Sequence, residues 1–451
     1  MRGLTSMILA GVLAGVCGCS SSSEEIKPAA PEPAGLPPAR EVNADEVPRP
    51  DPERTVAIAG ATMIDGLGGA PVPDAVVVVR GERVVAAGAR AAVAIPAGAE
   101  ILEAEGLTVM PGLVDPHWHL DGAALPALFL SHGVTALRDP GAWIESYDPV
   151  RAAGEPIPRL FLTGPHLDWP PPAHPESAFI VLDPEEARIA VNRFVDQGAS
   201  AIKVYFRLPI HMIDAVSRAA HARGVVTTAH LEIADARDAI RAGLDGIEHV
   251  TSVGTALAEP IAAEQFRQAV LADNNARRQG RYDLWADIDV DSPRADDLID
   301  LLVTRGVWFT PTLGVYERRL GTEGVTEVHA RAFENMMAFV GKASRAGVRI
   351  VVGSHTEVPY ADMGWAYQRE MELLLESGLT PAQVLTAATL EGARFLRADD
   401  RLGTLEPGKL ADLVLVEGDP LSDMGAMRRI ERVMLNGTWI EADASVPGLP
   451  Q

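Results

Sequence analysis

The chain has 451 residues, a formal charge of −23, 47% hydrophobic residues and two cysteines. A chain this long can bury one large core and a smaller second one. The acidic balance argues against a nucleic-acid partner and against broad electrostatic attachment to anionic membrane.

The N-terminus reads as a targeting segment. Arg2 is followed by an apolar run over residues 7–16. That run is too short to span a bilayer and suits a signal-peptide core. Val16-Cys17-Gly18-Cys19 resembles a bacterial lipoprotein box. The resemblance implies a signal peptide over residues 1–18, cleavage before Cys19 and a lipid on the Cys19 thiol. The expected location is the cell envelope, lipid-anchored at the periplasmic face or the outer membrane. Both cysteines fall here, so the mature chain is expected to lack a disulfide and a cysteine metal ligand. Residues 19–52 are rich in Ser, Pro, Ala and Glu and read as a flexible tether.

Short β-rich runs occupy residues 53–110, separated by turn signals such as Asp65-Gly66. A matching set returns over residues 401–445, with Asn436-Gly437 as a hairpin turn. The two ends predict a small composite β-sandwich domain. Between them, residues 111–400 alternate strands with helices. Strand candidates end near His119, Asp139, Thr163, Tyr205, His230, His249, Leu313 and Ser354. Helices are expected over 184–197 and 211–223, and helices over 254–305 are expected to form a lid or side insertion. Eight alternating units predict an α/β fold, a parallel (β/α)8 TIM barrel.

The stretch Pro-Gly-Leu-Val-Asp-Pro-His-Trp-His-Leu, residues 111–120, carries the first chemical signal. Side chains alternate along a strand, so His117 and His119 face one side. Two imidazoles on one face can form half of a metal site; an isolated pair reads more readily as two hydrogen-bonded core or surface histidines, and here further candidates follow in order. Lys203 interrupts the apolar strand 201–205, where an ammonium is costly unless paired or neutralised. His230 ends Thr-Thr-Ala-His, and His249 sits in Gly-Ile-Glu-His-Val. Glu248, its neighbour, is expected on the opposite face in a structural role. Arg138 and Asp139 are expected to form a structural ion pair. His132, His211, His221 and His329 fall on predicted helices and are read as structural.

These motifs, with residues 388–396 and 402–420, resemble the amidohydrolase superfamily of metal-dependent hydrolases, near its imidazolonepropionase-like and Xaa-Pro or Xaa-Arg dipeptidase branch. The resemblance runs from about residue 55 to about residue 440. It implies two divalent ions, zinc, held by His117, His119, His230 and His249. Lys203, carboxylated to a carbamate, bridges them, and a metal-activated hydroxide is the nucleophile. The family's last strand usually ends Gly-Ser/Thr-Asp, the Asp being the general base. Here Val351-Val352-Gly353-Ser354 is followed by His355. His355 is expected to point into the metal site, as proton shuttle or ligand. Tyr205 lies on the face of Lys203 and is a candidate substrate contact. So are His166 and His174, in the Pro-rich loop after the third strand.

The resulting expectation is hydrolysis of a C–N bond in a small-molecule substrate: a dipeptide, an N-acyl amino acid or a cyclic amide. Two alternatives stand beside it. One is deamination of a ring by the same chemistry. The other is a catalytically degenerate binding lipoprotein, with His355 marking a lost base.

Overall fold

The computed structural model describes residues 36–122 and 125–440. The signal peptide, Cys19 and the tether as far as residue 35 lie outside the described residues. Residues 36–52, expected as flexible tether, are instead bound to the body. Ala39, Asn43 and Val47 are buried. Asn43 donates to the Pro158 carbonyl at 3.0 Å and accepts from Leu160 N at 2.7 Å. Glu41 accepts from Arg159 and Arg401 at 3.1 and 3.0 Å. Composition marks this strap as tether because its anchors are polar, and their partners are more than a hundred residues away.

The first strands are β1 (Thr55–Met63), β2 (Val72–Arg80), β3 (Arg83–Ala89), β4 (Glu100–Glu103) and β5 (Leu107–Pro111). Then come β6 (Leu113–Asp115), β7 (Val134–Asp139), β8 (Arg159–Leu162), β9 (His166–Asp168) and β10 (Ala178–Ile180). β11 (Ala201–Val204), β12 (Val226–His230), β13 (Gly246–Glu248), β14 (Trp308–Thr310) and β15 (Arg349–Ile350) follow. The chain closes with β16 (Leu413–Glu417), β17 (Ile430–Leu435) and β18 (Thr438–Ile440).

Among the described residues, strands from both ends share one eight-stranded sheet, ordered β18-β17-β16-β5-β1-β2-β3 with β4 beside β1. The join is the antiparallel pair β5–β16, with Val109 opposite Leu415. Alternation along β1 and β2 puts Val56, Ile58, Val77 and Val79 into one apolar cluster. Ala57, Ala59, Val76 and Val78 form another, on the opposite face.

The middle strands pair in parallel, as β6-β7-β8 and as β10-β9-β11-β12-β13-β14-β15. Every residue of β7 and β12 is buried, as parallel strands covered on both faces require. Backbone hydrogen bonds link the two sheets at two places: Ser200 N, before β11, to Leu162 O at 2.7 Å, and His355 N, after β15, to His117 O at 2.7 Å. Helices run between the strands, including Pro184–Asp196 and Ile210–Ala222, close to expectation. Asp183 starts the first by accepting from Glu185 N and Glu186 N, with Pro184 in the first turn. The expected insertion is built of helices Pro260–Ala272, Ala276–Ala286 and Pro293–Arg305. Among the described residues no helix is long and apolar enough to cross a membrane.

Candidate metal centre

Six of the sequence candidates meet where the parallel strands end. His117 and His119 follow β6, Lys203 lies on β11, and His230 ends β12. His249 follows β13 and His355 follows β15. The rings touch in a chain: His230–His249 at 4.4 Å between centroids, His249–His117 at 4.5 Å, His117–His119 at 5.1 Å. His355 packs against His119 at 4.7 Å and stacks on His117 at 5.4 Å. Ligand atoms of His117, His249 and His355 lie within 4.8 Å of one another.

The outer nitrogens of these rings are held by the fold. His117 Nδ1 meets Glu248 Oε2 at 2.6 Å. Burial raises the Glu248 carboxyl, but Arg138 and Lys203 outweigh it and hold Glu248 low, hence ionised. Nδ1 therefore carries the proton, and Nε2 turns a lone pair inward. His249 Nδ1 lies 2.7 Å from Thr312 Oγ1, whose hydroxyl donates to Pro311 O at 2.8 Å. Oγ1 thus accepts from His249 Nδ1–H, and Nε2 of His249 is again the free nitrogen. His119 Nδ1 stands 3.4 Å from Asp139 Oδ1, and its Nε2 faces His117 Nε2 at 3.2 Å. His230 differs: its Nε2 meets Glu232 Oε1 at 3.0 Å.

Two expectations about neighbours are corrected here. Glu248 does not face away from the site. His249 has φ +70°, which breaks the strand alternation, so both Glu248 and His249 turn to the centre. Arg138 pairs with Glu248, not with Asp139. The two are adjacent on β7 and point to opposite sides. Asp139 instead accepts from Tyr147, Leu120 N, Gly141 N and Ala142 N.

His355 occupies a strained turn. It has φ +59° and Thr356 φ +69°, a left-handed conformation costing about 1–3 kcal/mol per residue. Hydrogen bonds over-determine the turn. His355 N donates to His117 O at 2.7 Å, and Thr356 N to Ser354 Oγ at 2.9 Å. Thr356 Oγ1 accepts from His119 N and donates to His119 O. Asp115 Oδ1 accepts from both His117 N and Ser354 N at 3.1 Å.

Burial sets the protonation. It depresses His117, His230 and His249 well below the ordinary imidazole value, with neighbouring cations adding to the effect. His355 is pushed down to about 3, mainly by burial and then by His119. Lys203, buried 3.8 Å from Glu248, is lowered to about 8 by burial despite that carboxylate.

The cluster floors a cavity of about 630 Å³. His166, His174 and Tyr205, the sequence candidates for substrate contact, line it. His166 departs from expectation in one respect: it lies on strand β9 rather than in a loop, and it is buried. Its ring is 4.2 Å from that of Tyr205, which in turn lies 4.9 Å from His230 and 5.8 Å from His174. Sequence reasoning missed Glu232, Arg277, Arg281 and Tyr316. Arg281 pairs with Glu232 at 2.9 Å, and Tyr316 stands 6.0 Å from His249. The signal available was the Arg-rich run in the insertion, which gives no direction by itself.

The donor set fits a divalent ion. The His117, His230 and His249 imidazoles are buried and held uncharged. Two of them give a proton outward to Glu248 or Thr312 and keep a lone pair inward, as metal-ligating histidines do. His117, His249 and His355 bring their ligand atoms close enough together to hold it, with His119, His230 and Lys203 beside them on the cavity floor.

Comparison with known proteins agrees. The Amidohydrolase family profile matches residues 108–440. N-acyl-D-aspartate deacylase from Alcaligenes xylosoxydans xylosoxydans is 37% identical over 123 residues, covering 25% of this chain and 24% of the relative. The chain spans only 11% to 25% of the length of the curated relatives it matches. Among solved structures, a candidate prolidase from Bifidobacterium longum superposes with TM-score 0.66 and 26% identity, covering 86% of this chain and 95% of that one. The ochratoxinase of A. niger has the same fold, with TM-score 0.66, 19% identity and coverage of 87% and 97%. The chain belongs to the amidohydrolase family, a family of hydrolases that act on carbon–nitrogen bonds.

Proposed function

We propose that the protein is a metal-dependent amidohydrolase of the cell envelope that cleaves a C–N bond in a small substrate, a dipeptide, an N-acyl amino acid or a cyclic amide. The observation that carries this reading is the run of five buried or half-buried imidazoles around Lys203 at the strand ends. The deacylase among its relatives is named for an N-acyl amino acid, which supports the substrate class. In this reading the eight parallel strands β6, β7, β8, β11, β12, β13, β14 and β15 form a (β/α)8 barrel. The backbone hydrogen bonds that join β8 to the start of β11 and the residues after β15 to those after β6 support it. Residues 53–110 and 401–440 then form the composite β-sandwich domain; residues 441–445, expected to belong to it, lie outside the described residues.

His117, His119, His230, His249 and Lys203 would hold two divalent ions, zinc. When bound, such ions acidify water and polarise a carbonyl oxygen. The chain's own groups prepare and complete the reaction. Glu248 and Arg138 fix the His117 ring. The buried Lys203 amine, lowered to about 8, adds to CO2 and sheds a proton to become a carbamate. Tyr205 holds the substrate carbonyl through its hydroxyl, while His166 and His174 shape the wall beside it. The neutral His355 imidazole takes a proton from the attacking water's oxygen and gives it to the leaving nitrogen. Cys19 carries the lipid that keeps the protein in the envelope.

The test is metal analysis with turnover on a panel of dipeptides, N-acyl amino acids and cyclic amides. Bound divalent metal and hydrolysis in the wild type, both lost in a Lys203→Ala, His230→Ala double variant, are expected. Full metal content in that double variant would place the site elsewhere. Metal without turnover on any member would favour the binding-protein alternative. Cys19→Ser is expected to release the protein from membranes.

A further inference from the structure

Part of the cavity wall is made by helix Ala276–Ala286, which brings Arg277, Arg278 and Arg281 to the site. Their charges are not equally answered. Arg281 is paired with Glu232. Arg277 is only 6% exposed, yet among the described residues it has no carboxylate within ion-pair distance. One of its terminal nitrogens donates to the Asn274 carbonyl at 2.6 Å. The other lies 3.4 Å from His174 Nε2, and Nε is buried without a partner. The face of Phe206 supports the guanidinium at 5.1 Å. The nearest buried acids do not reach it as ion pairs: Glu232 serves Arg281 and His230, and Asp168 accepts from Trp169 N and Arg207 N through Oδ1, its Oδ2 lying buried without a partner.

A buried guanidinium is costly without a counter-charge, and an arginine fork suits a carboxylate. We propose that Arg277, with His174 beside it, is the subsite for a substrate carboxylate. Tyr205 bridges this subsite to the metal centre, its ring lying between those of His174 and His230. The carboxylate therefore sits a few bonds from the scissile amide. That is the spacing of the C-terminal carboxylate in an N-acyl amino acid or a dipeptide. The inference rests on the amidohydrolase reading and narrows it: acids are the substrates, and neutral cyclic amides are not.

The experiment compares matched pairs, N-acetyl-L-amino acids and glycyl dipeptides, each as free acid and as C-terminal amide, on the metal-loaded enzyme. A charge-assisted contact of this kind is worth on the order of 100-fold. The wild type is expected to favour acids by about that factor, chiefly through KM. In Arg277→Gln the acid-to-amide ratio is expected to fall towards one, with metal content and circular dichroism retained. Arg277→Lys keeps the charge without the fork and is expected to fall between. A merely structural arginine would lower both members of each pair alike and leave the ratio unmoved. If no pair is hydrolysed, the functional reading fails, and calorimetric binding of the same compounds decides this one. Binding of acids but not amides, lost in Arg277→Gln, upholds the subsite. Equal affinity for acids and amides, an unchanged ratio in both variants, or no acid bound at all overturns it.

Discussion

Two buried charge networks, one where β8 begins and one where the parallel strands end, are finished to different degrees. Where the strap, β8 and the eight-stranded sheet meet, Arg159 gives two hydrogen bonds to Asp412, one to Asn436 and one to Glu41. Asp412 accepts Asn436 N as well, and the Asn436 amide donates to Pro48 O. No polar side-chain atom of these residues is left unpartnered. At the strand ends, by contrast, Arg138 Nη1, His166 Nε2, Asp168 Oδ2 and Arg277 Nε are buried without partners. Both places remove charge from water, so burial alone does not separate structure from function. Completion does. A network that satisfies itself holds the fold together, whereas one that stops short is shaped for something else to complete it.

The sharpest way to break the contrast is at His355, a strained residue inside the incomplete network. His355→Ala is expected to keep its metal and lose turnover by about 10²–10⁴-fold, the usual range for a proton-transferring side chain. Loss of metal as well would make it a ligand. Gain of hydrolysis in His355→Asp over an inert wild type would mark the site as degenerate. The pH profile adds a second reading. Burial pushes this imidazole down to about 3, so it is already the neutral base across about pH 5–8. A fall in rate near pH 6.5 would then not come from His355. An acid limb there that disappears in His355→Ala would contradict the burial argument.

The complete network should answer differently. Arg159→Met strands Asp412 and Glu41 without their cation and is expected to cost about 3–5 kcal/mol in urea unfolding, with metal content unchanged. Glu248→Gln should do the reverse in kind. It leaves the His117 ring without an ionised acceptor and is expected to weaken metal binding by about 10–100-fold, read by competition with a chelator.

Most of the first ring of the site was legible because the candidate ligands lie on parallel strands or within a few residues of their ends, inside the quoted motifs. His117, His119, Lys203, His230 and His249 all reach the same cavity. What escaped depends on breaks in strand alternation or on distance along the chain. Glu248 turns inward because His249 adopts φ +70°, which no pattern of residue types announces. Arg277 and Arg281 arrive from an insertion whose helices read as an ordinary charged surface. The strap at 36–52 has the composition of a linker. It is ordered by Asn43 and Glu41, through partners on β8 and near residue 401 that only the folded chain brings close. The fold was legible at the level of alternating strands and helices, and the helices Pro184–Asp196 and Ile210–Ala222 fall where their periodicity placed them.

A third charged pair calibrates the two buried networks, because it is half exposed. His221, on helix Ile210–Ala222, places Nε2 2.8 Å from Asp245 Oδ2, just before β13. The same oxygen accepts Thr227 N at the start of β12. The hydrogen bond to Asp245 raises the His221 pKa above the ordinary imidazole value, with burial opposing it. Folding therefore favours the protonated form. Its stabilisation is fully present below the unfolded pKa near 6.5 and is lost as pH rises through the folded value. With the imidazole side chain 38% exposed, solvent screening limits the effect to a few tenths of a kcal/mol. His221→Gln should accordingly lower the urea midpoint slightly at about pH 6, and the difference should close by about pH 9. Added salt should shrink it at the lower pH. A gap that stays constant across that range would mean the pair contributes only as a neutral hydrogen bond. Exposure, rather than completeness, would then be what sets this pair apart from the Arg159 network.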